Sequence, residues 1–366
     1  MQLQSIIHFF EKIAPPSLQE GYDNAGLIVG NPEMEIKKAL ICLDSIPEVV
    51  EEAILIGANL IVAHHPIVFS GLKKFNGKTH VERAVMLAIK NDIAIYAIHT
   101  NLDNVLHNGV NQKIAEKLGL INCSILEPKG GQLQKLVVFC PDSHAEELRQ
   151  ALFNAGAGRI GNYDACSFNS HGDGSFRANT GAKPFVGEIG KKHWEPEIRI
   201  EIVFPKHLAG QVIKAMKAAH PYEEVAYDIY QLENTWQDAG SGLIGELPEA
   251  LTTAEFLKLL KTNMQVPLVR HTPGAGEQIR RVALCGGSGS FLLNKAIASG
   301  ADVFVSSDFK YHQFFENEGK IMIADIGHYE GEYFTVELLG NLLTENFRTF
   351  AVVFSGIDTN PIKYYC

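Results

Sequence analysis

The sequence predicts an α/β protein. It has a discontinuous two-lobed α/β body built of βαβ units, carrying an inserted ferredoxin-like α+β domain. Three observations support this: apolar strands alternate with helices in the first third, the same rhythm returns in the last third, and a different strand order lies between them. At 366 residues the chain exceeds one ordinary domain.

In the first third, "KKALICLDSI" reads as a strand. "PEVVEEAILIGA" reads as a helix opened by Pro47 and closed at Gly57. "NLIVAHH" is a second strand, "THVERAVMLAIKND" a helix, "IAIYAIH" a third strand and "GVNQKIAEKLGL" a helix. Apolar strands separated by such helices indicate a parallel sheet covered on both faces. The middle, residues 133–235, reads β-α-β-β-α-β: "KLVVFCP", "SHAEELRQALFNAG", "NYDACSFNSHG", "EIRIEIVFP", "HLAGQVIKAMKAAH" and "VAYDIYQLE". A polar hairpin excursion, "DGSFRANTGAKPF", joins its second and third strands, and turn-rich "EPKGGQLQ" and "NTWQDAGSG" flank the insert. The lobes are therefore expected over 1–132 and 236–366. The last third runs "RRVALCGG" (strand), "SFLLNKAIASG" (helix), "ADVFVSS" (strand), "FKYHQFFENEG" (helix), "KIMIADIGH" (strand) and "GEYFTVELLGNLLTEN" (helix), and "TFAVVFSG" closes it as a strand.

Composition narrows function. Apolar residues make up 46% and charged residues 20%, as in a globular protein, and a formal charge of −10 argues against general affinity for nucleic acid or anionic membranes. There is no run of 18 apolar residues and no leader-like N-terminus, so a cytoplasmic protein is expected. Six cysteines without a C-x-x-C pair suit reduced thiols, which leaves any metal to His and carboxylate.

Functional groups of α/β sheets gather past the carboxyl ends of strands. His64 and His65 end the second strand; His99, Asn101 and Asp103 follow the third in "HTNLDN"; His328 and Glu332 follow a later strand in "DIGHYEGE". If helical, His328 and Glu332 share one face. Pro66 withholds a ladder N–H after His65, so both rings can turn toward one place where the strand ends. Asp103 then offers a carboxylate that can bridge two ions. The blander readings are satisfied core histidines, a turn aspartate and a dipole-matched helix acid. Spacing leaves both sets open. "CGGSGSF", with Gly286 and Gly289, reads as a tight turn in preference to a phosphate-binding loop, since it lacks the P-loop Lys and is not a full G-x-G-x-x-G. Asp308 and His312 in "SSDFKYH" can reach the mouth of the same site, and His220, Glu223 and Glu224 read as a structural turn. His8, His80, His107 and His193 read as surface or capping residues.

"VAHHPIVFSGLKKF", "AIHTNLDNVLHNGVN", "YDNAGLIVG" and the late "DFKYHQ" and "DIGHYEGE" resemble the NIF-three-like family of YbgI-type dinuclear metal centre proteins, which carry the label GTP cyclohydrolase 1 type 2 homologue. The middle third resembles the PII-like or CutA-like insert of its long members. The resemblance implies two divalent ions held by His64, His65, Asp103, His328 and Glu332. Zinc is the first expectation, with Fe, Mn, Co or Ni as alternatives. It also implies His99 and His312 as pocket residues placed to move protons, and a homohexameric toroid. Two functions follow: a metal-dependent hydrolase acting on a nucleotide or phosphorylated small molecule, or a metal-bearing scaffold or regulatory protein whose insert senses a ligand.

Overall fold

The computed structural model describes residues 1–348 and 350–365. The chain begins with α1 (Leu3–Ile13), β1 (Gly26–Val29), β2 (Lys38–Asp44), α2 (Pro47–Ile56), β3 (Leu60–His65), α3 (His80–Lys90), β4 (Ala94–Ala97), α4 (Thr100–Asp103), α5 (Val110–Leu118) and β5 (Ile121–Lys129). Next come β6 (Leu133–Pro141), α6 (Ala145–Asn154), β7 (Phe168–Arg177), β8 (Lys192–Pro205), α7 (Ala209–Ala219) and β9 (Tyr227–Gln231). Then follow β10 (Trp236–Thr252), α8 (Thr253–Asn263), β11 (Arg270–His271), β12 (Gln278–Ser288), α9 (Leu293–Ala298), β13 (Val303–Ser307), β14 (Met322–Asp325), α10 (His328–Glu332), α11 (Phe334–Asn346) and β15 (Ala351–Phe354).

These elements form two compact units, one from residues 1–128 and 238–366, the other from residues 129–237. The first holds two sheets. One has the order β1-β4-β3-β2-β15, and the other the order β11-β14-β13-β12-β10-β5. β2, β3, β4 and β15 run parallel, as do β12, β13 and β14, with antiparallel strands at the margins. β4 and β14 are buried at every position, and β3 up to its last, His65. That is the mark of parallel strands covered on both faces. Residues of β2, β3 and β4 pack against Val49, Val50 and Ala53 of α2 and Ala84, Val85 and Ala88 of α3. On α1, the buried Phe10 stacks on Tyr96 of β4 at 5.6 Å.

Two strands depart from the periodic reading. "TFAVVFSG" looked like the close of the C-terminal series, yet β15 pairs with β2 in the first sheet. Conversely, β5 belongs to the second sheet. Each half of the sequence thus lends an edge strand to the other's sheet. "FKYHQFFENEG" forms a 3-10 helix over Tyr311–Asn317, not an α-helix. Thr349, expected to open the last strand, lies outside the described residues, as does Cys366.

The second unit has the β-α-β-β-α-β order. Its antiparallel sheet, β7-β8-β6-β9, places the unit's first strand between its third and fourth. On β8, Ile198, Ile200, Ile202 and Phe204 are buried every second residue, and Arg199 between them is exposed. One sheet face is therefore covered, by Leu148 and Leu152 of α6 and Val212 and Met216 of α7. Among the described residues no helix is long and apolar enough to cross a membrane, and Cys42, Cys123, Cys140, Cys166 and Cys285 are free thiols.

Candidate metal centre

The carboxyl ends of β2, β3, β4 and β14 supply the site. Pairing of β2 with β3 sets Asp44 beside His65, and α4 and α10 begin just past β4 and β14. In "HTNLDN" the two asparagines hold the turn. Asn101 donates to Ala14 O, and Asn104 to Leu18 O and Glu20 Oε1, which frees His99 and Asp103 for the cavity. That cavity has a volume of about 1080 Å³ and is lined by His65, His99, Asp103, His328 and Glu332 among others.

All five expected metal ligands converge. One ligand atom each from His64, Asp103 and Glu332 lies within 4.8 Å of the others, and so does one each from His65, His328 and Glu332. Glu332 belongs to both sets. Its Oε1 is 3.8 Å from His64 Nε2, while Oε2 is 2.8 Å from His65 Nε2 and 3.1 Å from His328 Nε2. The carboxylate spanning both sets is therefore Glu332, where spacing had suggested Asp103. His64, His65 and His99 make a third such group.

Each ring is oriented from behind. His64 Nδ1 donates to Ile98 O at 2.9 Å. His65 Nδ1 donates to Asp44 at 2.7 Å, His99 Nδ1 to Asp23 at 2.8 Å and His328 Nδ1 to Asp308 at 2.7 Å. An imidazole anchored through Nδ1 presents Nε2 as its ligand atom. Asp23 and Asp44 were not foreseen as site residues. Asp23 lies in "YDNAGLIVG", far from His99 in sequence, and Asp44 reaches His65 only through strand pairing.

Two polar atoms show what the set lacks. His64 Nε2 and Asp103 Oδ1 are both buried without a hydrogen-bond partner, 3.7 Å apart. Buried polar atoms are nearly always paired, so this gap fits a cation. Burial holds the His64 pKa down to about 4, leaving a neutral ring with a lone pair to give. Burial, together with the charge of Glu332, raises Asp103. Burial opposes a charge on His65, yet its bonds to Asp44 and Glu332 outweigh that and raise its pKa to about 10. For Glu332 burial likewise opposes ionisation, and the close contacts with His328 and His65 outweigh it, holding it well below the ordinary carboxylate range. Imidazole and carboxyl donors in this number suit a borderline divalent ion, whose charge would take the place of the protons on these rings.

Other expectations fall elsewhere. His312 is exposed, rests on Tyr311 at 5.2 Å between ring centroids and does not line the cavity. Asp308 lies before the 3-10 helix, at φ +60°, and turns to His328, while His312 on the helix does not follow it into the site. Gly287 has φ +62°, and a Cβ there would collide with Glu332 Oε1. Gly286 N is already bonded to Asn111 Oδ1. The "CGGSGSF" turn thus makes room for Glu332. His220 forms a structural turn, with Nε2 donating to Phe139 O and Nδ1 accepting from Tyr222 N.

The fold and this pocket define an α/β protein with His and carboxylate groups able to bind a divalent metal. The Duf34/NIF3 (NGG1p interacting factor 3) family profile matches residues 1–361, and the chain belongs to that family. A Halalkalibacterium halodurans protein described as GTP cyclohydrolase 1 type 2 homolog is 40% identical over 367 residues, 99% of this chain and 98% of that one. A Bacillus subtilis relative of the same description is 40% identical over 369 residues, with the same shares covered. The crystal structure of a Bacillus cereus protein related to NIF3 matches with a TM-score of 0.87 at 39% identity, covering 100% of this chain and 99% of that one.

Proposed function

We propose that this protein is a dinuclear-metal hydrolase acting on a nucleotide or phosphorylated small molecule. The observation that carries the reading is the pair of orphaned buried atoms, His64 Nε2 and Asp103 Oδ1, beside a Glu332 carboxylate that faces two donor sets. His64, Asp103 and Glu332 would hold one ion, and His65, His328 and Glu332 the other; zinc is the first choice, with Fe, Mn, Co or Ni next. Divalent ions so held supply Lewis acidity and lower the pKa of water.

The chain's own residues do the rest. With Nδ1 committed to Asp23, His99 has Nε2 free to take or give a proton, in the manner of an oriented general base. Phe69 packs edge-on to His99 at 5.5 Å and confines it. Lys73 and Lys74 line the same cavity and offer charge to an anionic substrate. The relatives' description, GTP cyclohydrolase 1 type 2 homolog, makes hydrolytic opening of a purine ring one member of this reaction class. A homohexameric toroid belongs to the same proposal and is read from the particle mass in solution.

The test is a turnover screen of nucleotides and phosphoesters with metal-loaded wild type, His65→Ala, Asp103→Ala and His99→Gln. Metal-dependent turnover that fails in all three variants, with His99→Gln still taking up metal, supports the proposal. Metal uptake without any turnover favours the scaffold reading instead.

A further inference from the structure

Residues 355–364 pass behind the donors. β15 runs parallel to β2, so the chain leaves it at the strand ends where Asp44 and His65 stand. Ser355 Oγ and Gly356 N first donate to Glu52 of α2. Thr359 Oγ1 then donates to Asp44 Oδ2 at 2.6 Å, while Asp44 Oδ1 accepts from His65 Nδ1. One residue later, Asn360 Nδ2 donates to Glu330 Oε1 at 3.1 Å. Glu330 is buried and sits on α10 between His328 and Glu332. Asn360 N donates to Asp358 Oδ1 at 3.0 Å and Ile362 N to Asn360 Oδ1 at 3.0 Å, which fixes the turn that aims both side chains.

We propose that this segment is a strap, and that Thr359 and Asn360 are positioning residues for one ion of the pair. That ion is the one assigned to His65, His328 and Glu332; the ion of His64, Asp103 and Glu332 shares only Glu332 with α10 and depends on the strap far less. The inference rests on the two-ion reading above. The asymmetry follows from the supports. His64 is oriented by Ile98 O, and Asp103 lies on α4, whose turn Asn101 and Asn104 hold by bonds to Ala14 and Leu18, not to residues 355–364. His65 depends on Asp44, and one of the two Asp44 oxygens is held by Thr359. α10 runs through Tyr333, which is also helical, into α11, so its far end is anchored; its near end, which carries His328, follows Gly327 at φ +90° and has no side-chain cap. Its tether to Asn360 therefore matters to the placement of His328. Loss of such outer contacts typically lowers metal affinity about 10–100-fold.

The experiment titrates metal-free full-length protein with Co²⁺, reading heat and the d–d absorption band, with thermal melts alongside. Wild type should take up two ions per chain. Thr359→Val combined with Asn360→Ala should weaken one binding step by about 10–100-fold, with an altered band, and change the other step far less. Thr359→Val alone should do the same to a smaller degree, and Thr359→Ser, which keeps the hydroxyl, should bind like wild type. Ser355→Ala loosens the strap away from the site and should leave both steps unchanged. The strap is refuted if both steps weaken equally, if neither changes, or if Ser355→Ala has the same effect. A wild type that takes up no Co²⁺ overturns the two-ion reading itself, and the strap with it.

Discussion

Replacing Gly287 with alanine probes the element on which both donor sets depend. Gly287 adopts φ +62°, a conformation that costs an L-residue about 1–2 kcal/mol. The added Cβ would also collide with Glu332 Oε1 and stand 3.1 Å from its Cδ, so the carboxylate must move. Glu332 is buried and faces His64, His65 and His328. Displacing it leaves buried polar atoms unpaired, at about 1–3 kcal/mol. Together these destabilise the metal-free protein by about 2–5 kcal/mol, or roughly 2–4 °C of melting temperature per kcal/mol for a unit of this size. Because Glu332 spans both sets, both ions should be lost together. Gly286→Ala is the control. Its Cβ meets Val110 Cγ1 at 2.8 Å but stays 3.7 Å from Glu332 Cγ, so it overpacks the core at about 1–3 kcal/mol and keeps the metal. Calorimetry and elemental analysis after desalting read both effects. A Gly287→Ala protein that still holds two ions with wild-type affinity would refute the reasoning.

Two further outcomes follow from the residues behind the rings. Asp308 orients His328 from a backbone at φ +60°, which asparagine tolerates, so Asp308→Asn tests the carboxylate alone. We expect about 10–100-fold weaker binding of one ion with the other unaffected, and equal weakening of both would count against the assignment. For Asp23, burial opposes ionisation, but the bonds from His99 and Thr100 outweigh it and lower its pKa from 3.8 to about 2. A depressed folded-state pKa adds stability above the unfolded value that is lost as pH falls through the folded one. Asp23→Asn should therefore destabilise by about 2 kcal/mol at neutral pH, and the gap should close between about pH 4 and pH 2. Denaturant titrations of both proteins across that range would show it, and a gap that does not vary with pH contradicts the Asp23–His99 pairing.

The donors were legible because chemistry and position coincide in them. His64–His65, Asp103 and the His328–Glu332 spacing all fall where strands end, and the strands are marked by unbroken apolar runs. The residues that aim the rings were harder to see. Asp44, Asp23 and Asp308 reach histidines 21, 76 and 20 positions away, through strand pairing or loop closure that no local period encodes. The swap of edge strands escaped for the same reason: β15 and β5 look like any other strand until their partners are known. Asp308 and His312 both follow a strand, but only Asp308 reaches the site, through His328, while His312 lies exposed on the 3-10 helix beyond it.

The proposed function places two divalent ions on two donor sets joined by Glu332. Anomalous diffraction from crystals grown with Zn²⁺ tests it most directly. Two peaks per chain are expected, one among His64, Asp103 and Glu332 and one among His65, His328 and Glu332. A single peak among His64, His65 and His99, or no peak in the cavity, would contradict it.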